Sequence, residues 1–187
     1  DLGNVAKYLD FIHIMTYDLQ SGSSASHHTA LYDSSNTLSG CSVASSVQTY
    51  KNSGVPASKI VIGIACYGKR IKATALGARA SGGYKALTYD VIREEYLNRL
   101  NQDVVYGFDE VSQAPYLLDK TNGYYITYDD EVSIKLKCEY AKDNKLGGVM
   151  IWEIGEDKSD TLITAVYDGI KSTTVEQKAF SSIAKIK

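Results

Sequence analysis

Aromatic and charged side chains directly follow three apolar runs of the sequence. These side chains are Tyr17 and Asp18, Tyr67 to Lys69, and Trp152 with Glu153. Together they supply aromatic surfaces, a phenol, two carboxylates and an ammonium, a set that suits an uncharged ligand rich in hydroxyl and amide groups. The sequence has no Ser or Cys nucleophile beside a partnered base, and no glycine-rich phosphate loop follows a strand. The candidate site therefore favours a sugar-like ligand.

Each apolar run is predicted to be a parallel strand that carries these residues at its end. Residues 11–16, 60–67 and 149–154 are almost uninterruptedly apolar, which is typical of strands buried on both faces. A helix predicted to end at Asn52 joins the first two runs, and this order of elements builds parallel α/β sheets. Ligands bind at the carboxyl ends of the strands in such sheets, so we expect the three segments to converge there.

Between the second and third runs the pattern changes. Short segments with glycine turn signals surround one amphipathic helix, in which Ile92, Tyr96 and Leu100 share a face. This pattern predicts a small α+β insertion. The parallel pattern then resumes with a helix that Asp129 is predicted to cap, and a last helix follows Asp157.

The chain is therefore predicted to divide into four segments, and its length of 187 residues fits one domain with an insertion. Residues 1–70 hold the first two strands and their connecting helix. Residues 71–127 form the insertion, residues 128–172 carry the third strand with its flanking helices, and residues 173–187 are a tail or linker.

The long loop between the first strand and the first helix, residues 20–40, is rich in Ser and contains two adjacent histidines. We expect His27 and His28 to be loop or cleft-rim residues and not metal ligands, because no carboxylate stands at ligand spacing. Glu153 is turned away from Trp152 by strand alternation, which favours a salt bridge or a capping role over catalysis.

The composition excludes several classes of function. A net charge of −2 with no run of more than two basic residues does not fit a nucleic-acid-binding protein. No apolar stretch approaches the ~20 residues of a membrane span. Cys41, Cys66 and Cys138 are odd in number and irregularly spaced, which favours small buried hydrophobic residues over disulfides or a zinc site. Nothing in the sequence indicates a cofactor.

Four motifs, together with one loop fragment, resemble the C-terminal part of glycoside hydrolase family 18 chitinases in the family's order. The motifs are FIHIMTYDL at 11–19, KIVIGIACYGK at 59–69, YDDEVSIKLK at 128–137 and LGGVMIWEIGED at 146–157; the loop fragment is HTALY at 28–32. The resemblance covers residues 9–170, and the predicted insertion stands where the family has its own. It therefore extends over nearly the whole chain.

The resemblance implies an α/β fold, a (β/α)8 TIM barrel of which this chain supplies the sixth, seventh and eighth strands, with a chitinase insertion domain after the seventh. It also implies substrate-assisted retaining hydrolysis, in which the acetamide oxygen of the sugar attacks the anomeric carbon. The family's general acid lies in a DxxDxDxE motif that this sequence lacks. We therefore expect the chain alone to be inactive. Its open sheet edges should need the N-terminal half of the barrel or a swapped copy.

The same resemblance implies roles for particular residues. Tyr17 would donate to the acetamide oxygen as the oxazolinium forms, and Asp18 would orient the amide. Trp152 would form the floor under the distorted sugar, with Met15 lining that floor. Tyr67 and Lys69 occupy the family's Tyr-Gly-Arg positions, and Lys lacks the planar fork of Arg.

The function that the resemblance implies is a secreted chitinase acting on chitin or N-acetylglucosamine oligosaccharides. Three alternatives use the same barrel: a chitinase-like lectin that keeps the groove without the acid, an endo-β-N-acetylglucosaminidase, and a cell-wall glycan hydrolase. An intact upstream DxxDxDxE motif would favour an enzyme, and a substituted final Glu would favour the lectin.

Overall fold

The computed structural model describes residues 1–171, which contain eight strands and five α-helices. The strands are β1 (Ile12–Ile14), β2 (Ile60–Ala65), β3 (Tyr67–Lys72), β4 (Ser81–Thr88), β5 (Val104–Asp109), β6 (Ala114–Asp119), β7 (Tyr124–Thr127) and β8 (Gly148–Trp152). The α-helices are α1 (Leu2–Val5), α2 (Val43–Asn52), α3 (Tyr89–Glu95), α4 (Glu131–Asp143) and α5 (Thr161–Lys171). The predicted tail at 173–187 lies outside the described residues.

The three predicted strands form one parallel sheet in the order β1-β2-β8. In register, Ile12 faces Ile60 on one side of β2, and Ala65 faces Trp152 on the other. The parallel prediction is therefore confirmed. The second strand is shorter than predicted, because the chain leaves this sheet after Ala65 and Tyr67 already belongs to β3.

The prediction that all three runs are buried on both faces holds only for the central strand. Every residue of β2 is buried, whereas His13 in β1 and Trp152 in β8 are exposed. The difference follows from the topology, since β1 and β8 each have a strand neighbour on one side only among the described residues.

Helices cover one face of the parallel sheet. Ile60 and Ile62 pack in one core cluster with Val43 and Val47 of α2, whose N-terminus is closed by a Ser42–Ser45 capping box. A second cluster joins Ile64 to buried residues of α3, α4 and α5, namely Ile92, Ile134, Cys138, Leu162 and Val166. This cluster packs α3 against the parallel sheet.

The N-cap of α4 differs from the prediction. Asp130 caps the helix, because its carboxylate accepts from the backbone N–H of Ser133 at 2.8 Å. Asp129 instead points into the interior, where it forms an ion pair with Lys137. Two adjacent aspartates offer the same cap chemistry, and the ion pair of Asp129 with Lys137 decides which of them caps the helix.

The second sheet is antiparallel, with the strand order β4-β3-β7-β6-β5. It corresponds to the predicted α+β segment, and β3 spans the predicted boundary at residue 70. The helix of this segment, α3, ends at Glu95; Ile92 and Tyr96 are buried as predicted, but Leu100 lies beyond the helix.

All three cysteines are free thiols. Cys66 and Cys138 are buried as predicted, while Cys41 is half-buried, so the prediction is wrong for that residue. Within residues 1–171, no helix has both the length and the hydrophobicity that a membrane span requires.

Candidate functional site

The predicted site residues gather where the parallel strands end. Tyr17 follows β1, and its ring packs with Ala65, Tyr67 and Met150 in a small cluster. The rings of Tyr17 and Tyr67 meet edge to face, with centroids 5.9 Å apart. No described residue hydrogen-bonds the Tyr17 hydroxyl, and 8% of the residue surface stays exposed beside Asp18.

A glycine in β2 makes room for the Tyr17 ring. A Cβ at Gly63 would lie 2.7 Å from Tyr17 Cε1 and 3.0 Å from Met150 Cε. Thr16 fixes the approach of the two strands, because its hydroxyl donates to the Gly63 carbonyl and accepts from the Gly63 N–H, both at 2.8 Å. The Tyr17 ring can therefore approach β2 this closely only because position 63 has no side chain.

Asp18 is the electrostatic centre of the site. Its Oδ1 accepts from the Tyr67 hydroxyl at 2.9 Å and lies 2.9 Å from Lys69 Nζ. The polar and charged side chains around it lower the pKa of the Asp18 carboxyl well below its ordinary value. The group is therefore an ionised, acceptor-only carboxylate at neutral pH, and half of its side-chain surface stays exposed.

His28 lies in the loop behind Asp18, as predicted, but it is fully buried and does not lie on an exposed rim. Its Nδ1 accepts a long 3.5 Å hydrogen bond from the Asp18 backbone N–H and lies 3.9 Å from Asp18 Oδ1. Its ring centroid is 5.4 Å from that of Tyr67. Burial lowers the pKa of the imidazole, so His28 is neutral near pH 7.

His27 lies in the same loop and is also fully buried, but it faces the antiparallel sheet. Its Nε2 lies 3.2 Å from Asp109 Oδ2, and its Nδ1 lies 3.3 Å from the Tyr125 hydroxyl. Asn36 donates to the same Asp109 oxygen at 2.9 Å. These bonds fasten the long loop to the antiparallel sheet, and the loop carries His28 into the site.

A buried ion pair supports the site from behind. Lys137 Nζ lies 2.6 and 2.8 Å from the two Asp129 oxygens, and both side chains are fully buried. Lys137 also donates to the Thr29 hydroxyl at 2.6 Å, and Thr29 donates to the Thr16 carbonyl at 3.1 Å. The pair therefore links α4 to Thr29, which follows His28, and through it to Thr16, which precedes Tyr17.

Trp152 and Met15 are exposed at the same edge of the sheet. Trp152 is 56% exposed and Met15 is 71% exposed, so neither is a core residue within the part of the chain that the structure describes. Trp152 shares a face of β8 with Met150, which contacts the Tyr17 cluster. The indole thus lies beside the aromatic cluster and presents its surface to solvent.

Glu153 does not take the role predicted for it. Its side chain is exposed, it forms no ion pair among residues 1–171, and its side chain does not cap the short 3-10 helix that follows at Ile154–Glu156. Across the same range, no three His, Cys, Asp or Glu side chains are placed to hold a metal ion.

The structure brings together Tyr17, Asp18, Tyr67 and Lys69 and places Trp152 and Met15 on the adjoining open surface. Sequence reasoning missed Gly63, His28 and the Asp129–Lys137 pair. A glycine inside an apolar strand is a signal of close approach, and it was available at Gly63. Nothing local distinguishes His28 from its neighbour or Asp129 from Asp130.

Chemically, the arrangement offers one free phenol, a fixed carboxylate beside it and an exposed indole. A phenol donates a hydrogen bond, a carboxylate accepts one, and an indole face stacks on apolar ring surfaces. An amide-bearing sugar matches this combination, since its N–H, its carbonyl and its ring each find a counterpart.

Comparisons with known proteins agree with this chemistry. The family model described as "Glycosyl hydrolases family 18" matches residues 1–157. Chitinase A1 of Niallia circulans is 31% identical over 183 residues, which cover 87% of this chain and 26% of the relative. The chain thus spans about a quarter of the length of that relative.

Two solved structures resemble the fold closely. A family 18 N-acetylglucosaminidase from Paenibacillus barengoltzii has a TM-score of 0.81 and 37% identity, over 90% of this chain and 51% of that one. YKL-39, crystallised in the presence of chitooligosaccharides, has a TM-score of 0.81 and 26% identity, over 92% of this chain and 53% of that one.

Proposed function

We propose, because this chain belongs to family 18 of the glycosyl hydrolases, that the whole protein is a chitinase that hydrolyses β-1,4 linkages between N-acetylglucosamine units. The observation that carries the proposal is the free Tyr17 phenol next to a carboxylate, Asp18, that Tyr67 and Lys69 hold in place. The similarity to a chitinase and to a structure obtained with chitooligosaccharides supports the same substrate class.

We further propose that β1, β2 and β8 are the sixth to eighth strands of a TIM barrel. Their parallel order and the antiparallel sheet inserted between β2 and β8 support this assignment. The division at 1–70, 71–127 and 128–172 follows from it, with the insertion domain starting near the first residue of β3. Both outer strands have an open edge within the described residues, and the rest of the barrel or a swapped copy would pair them.

In the proposed reaction the acetamide oxygen of the sugar attacks its anomeric carbon, and the bond to the leaving oxygen breaks. Tyr17 donates a hydrogen bond to the acetamide oxygen as the oxazolinium forms. Asp18 accepts from the amide N–H and stabilises the positive charge on the ring that forms. The low pKa of Asp18 suits this task, because only the ionised carboxylate is purely an acceptor.

The leaving oxygen needs a proton donor, which we assign to the part of the barrel outside this chain. This sequence has no DxxDxDxE motif. Trp152 and Met15 would support the sugar ring on the exposed edge of the sheet. Lys69 would act mainly through Asp18, since its ammonium lies 2.9 Å from that carboxylate.

Chitin is an insoluble polymer, so we propose that the protein meets it outside the cell.

Tyr17→Phe in the whole protein tests the proposed reaction, because it removes one hydroxyl and keeps the ring. We expect kcat on a fluorogenic chitobioside to fall by ~10²-fold or more. The matched control is Tyr32→Phe, which changes an exposed tyrosine whose ring packs against Tyr140 of α4, and it should leave kcat unchanged.

A kcat within about threefold of the wild type, with an unchanged melting temperature, would contradict the role of Tyr17. A wild-type protein that binds chitotriose without hydrolysing it would instead favour the lectin. Cleavage of N-glycan cores or of peptidoglycan, with chitin left intact, would favour the other two alternatives.

A further inference from the structure

We infer that His28 is a positioning residue that holds Asp18 in the conformation the proposed reaction needs. This inference rests on the proposed function, since it assigns His28 a task within that site. The imidazole is fully buried. Its contacts are instead with the two residues that define the carboxylate geometry, Asp18 and Tyr67.

The backbone of Asp18 has an uncommon conformation that its neighbours support. Its φ is +62°, in the left-handed region, which few residues with a Cβ adopt, although aspartate is among those that adopt it most often. Two hydrogen bonds to His28 hold it: the Asp18 N–H donates to Nδ1 at 3.5 Å, and the Leu19 N–H donates to the His28 carbonyl at 3.0 Å. His28 is itself anchored, because its N–H donates to Thr127 Oγ1 at 3.2 Å.

The same ring also limits where Tyr67 can lie. Its centroid is 5.4 Å from the Tyr67 ring at an interplanar angle of 47°, and the Tyr67 hydroxyl donates to Asp18 Oδ1 at 2.9 Å. His28 therefore contacts both partners of this hydrogen bond from behind. A shift of the imidazole would therefore disturb both the Tyr67 hydroxyl and the Asp18 carboxylate.

A packing role alone does not explain an imidazole at this position. Because Nδ1 accepts from Asp18, the proton of the neutral ring lies on Nε2. Nε2 is buried and has no hydrogen-bond partner among the described residues. An apolar side chain would fill the same space without leaving a buried donor unpaired. What the imidazole adds at this position is therefore the hydrogen-bond acceptor at Nδ1.

The test compares two substitutions in the whole protein. His28→Leu fills a similar volume and removes the acceptor, whereas His28→Asn keeps an acceptor oxygen near the place of Nδ1. We expect kcat on a fluorogenic chitobioside to fall 10- to 100-fold in the Leu variant, since misplacing a reacting group by about 1 Å costs up to ~10²-fold. The Asn variant should stay within about threefold, and KM should change less than kcat in both.

The matched control is His27→Leu, which removes the adjacent and equally buried imidazole whose bonds are to Asp109 and Tyr125. It should lower the melting temperature and leave kcat per folded molecule within about threefold. If His28→Leu does not fold, His28→Phe replaces it, because a phenyl ring keeps the packing against Tyr67 and lacks the acceptor.

An unchanged kcat in the Leu variant, or equal losses in the Leu and Asn variants, would overturn the inference. A wild-type protein without chitinase activity would overturn the proposed function. The positioning role of His28 would still be testable by structure determination. Crystal structures of the variants should then show the left-handed φ of Asp18 and its Tyr67 contact kept with Asn and lost with Leu. Their persistence with Leu would overturn the inference as well.

Discussion

Gly63 in β2 is the position where a single methyl group should disturb the proposed site most directly. In Gly63→Ala the new Cβ would lie 2.7 Å from Tyr17 Cε1, 3.0 Å from Met150 Cε and 3.1 Å from the Ile14 carbonyl oxygen. The Ile14 oxygen belongs to the backbone of the neighbouring strand and yields little. The Tyr17 ring and the end of the Met150 side chain must therefore move.

The size of that movement follows from ordinary packing distances. Carbon atoms in contact are about 3.5–4.0 Å apart, so the Tyr17 ring must shift by about 1 Å. A displacement of this size at a reacting group costs up to ~10²-fold in rate. Overpacking of this kind typically destabilises a protein by ~1–3 kcal/mol. We therefore expect kcat to fall by 10- to 100-fold in a protein that still folds.

The assay is steady-state hydrolysis of a fluorogenic chitobioside by the whole protein, with urea denaturation to measure the free energy of unfolding. Gly169→Ala in α5 is the matched control. Its Cβ would lie 2.9 Å from Cys138 Cβ, so it overpacks the α4–α5 contact on the helical side of the sheet. This variant should lose stability and keep its kcat.

A double variant tests whether Gly63→Ala lowers kcat through the Tyr17 hydroxyl. If Gly63→Ala acts by misplacing the Tyr17 hydroxyl, then adding Tyr17→Phe removes a group that no longer functions, and the two losses should not multiply. Multiplying losses, or a folded Gly63→Ala protein with a kcat within threefold of the wild type, would refute the explanation.

Three further predictions concern residues around the site. Trp152→Ala should weaken chitotriose binding, measured by calorimetry, and should lower the free energy of unfolding by clearly less than the ~3–5 kcal/mol expected for a buried aromatic residue. Unchanged binding together with a loss of stability of that full size would contradict this prediction. Lys137→Met should lower the free energy of unfolding by ~3–5 kcal/mol, because it leaves Asp129 buried and unpaired, and adding Asp129→Leu should recover much of that loss in urea denaturation. Burial raises the pKa of the Cys66 thiol to about 12, so at pH 8 this residue should react with a thiol reagent far more slowly than Cys41. Similar reaction rates of the two thiols, measured by mass spectrometry, would show that the core around Cys66 opens readily.

The arrangement of the strands could be read from the sequence because it depends on local patterns. Continuous apolar runs joined by an amphipathic helix predict parallel strands wherever they occur, and β1, β2 and β8 are parallel. The candidate residues Tyr17, Asp18 and Trp152 were found in the same way, since the ends of such strands meet at one edge. Their catalytic and binding roles stay predictions.

Only the tertiary structure decided which of several equivalent residues is used. Asp129 and Asp130 have the same side chain, and Asp130 became the cap because Asp129 is drawn into the interior by Lys137, eight residues along α4. His27 and His28 likewise differ only in what the folded loop brings next to them, Asp109 for one and Asp18 for the other. Such choices depend on contacts between residues distant in the chain, which no local pattern encodes.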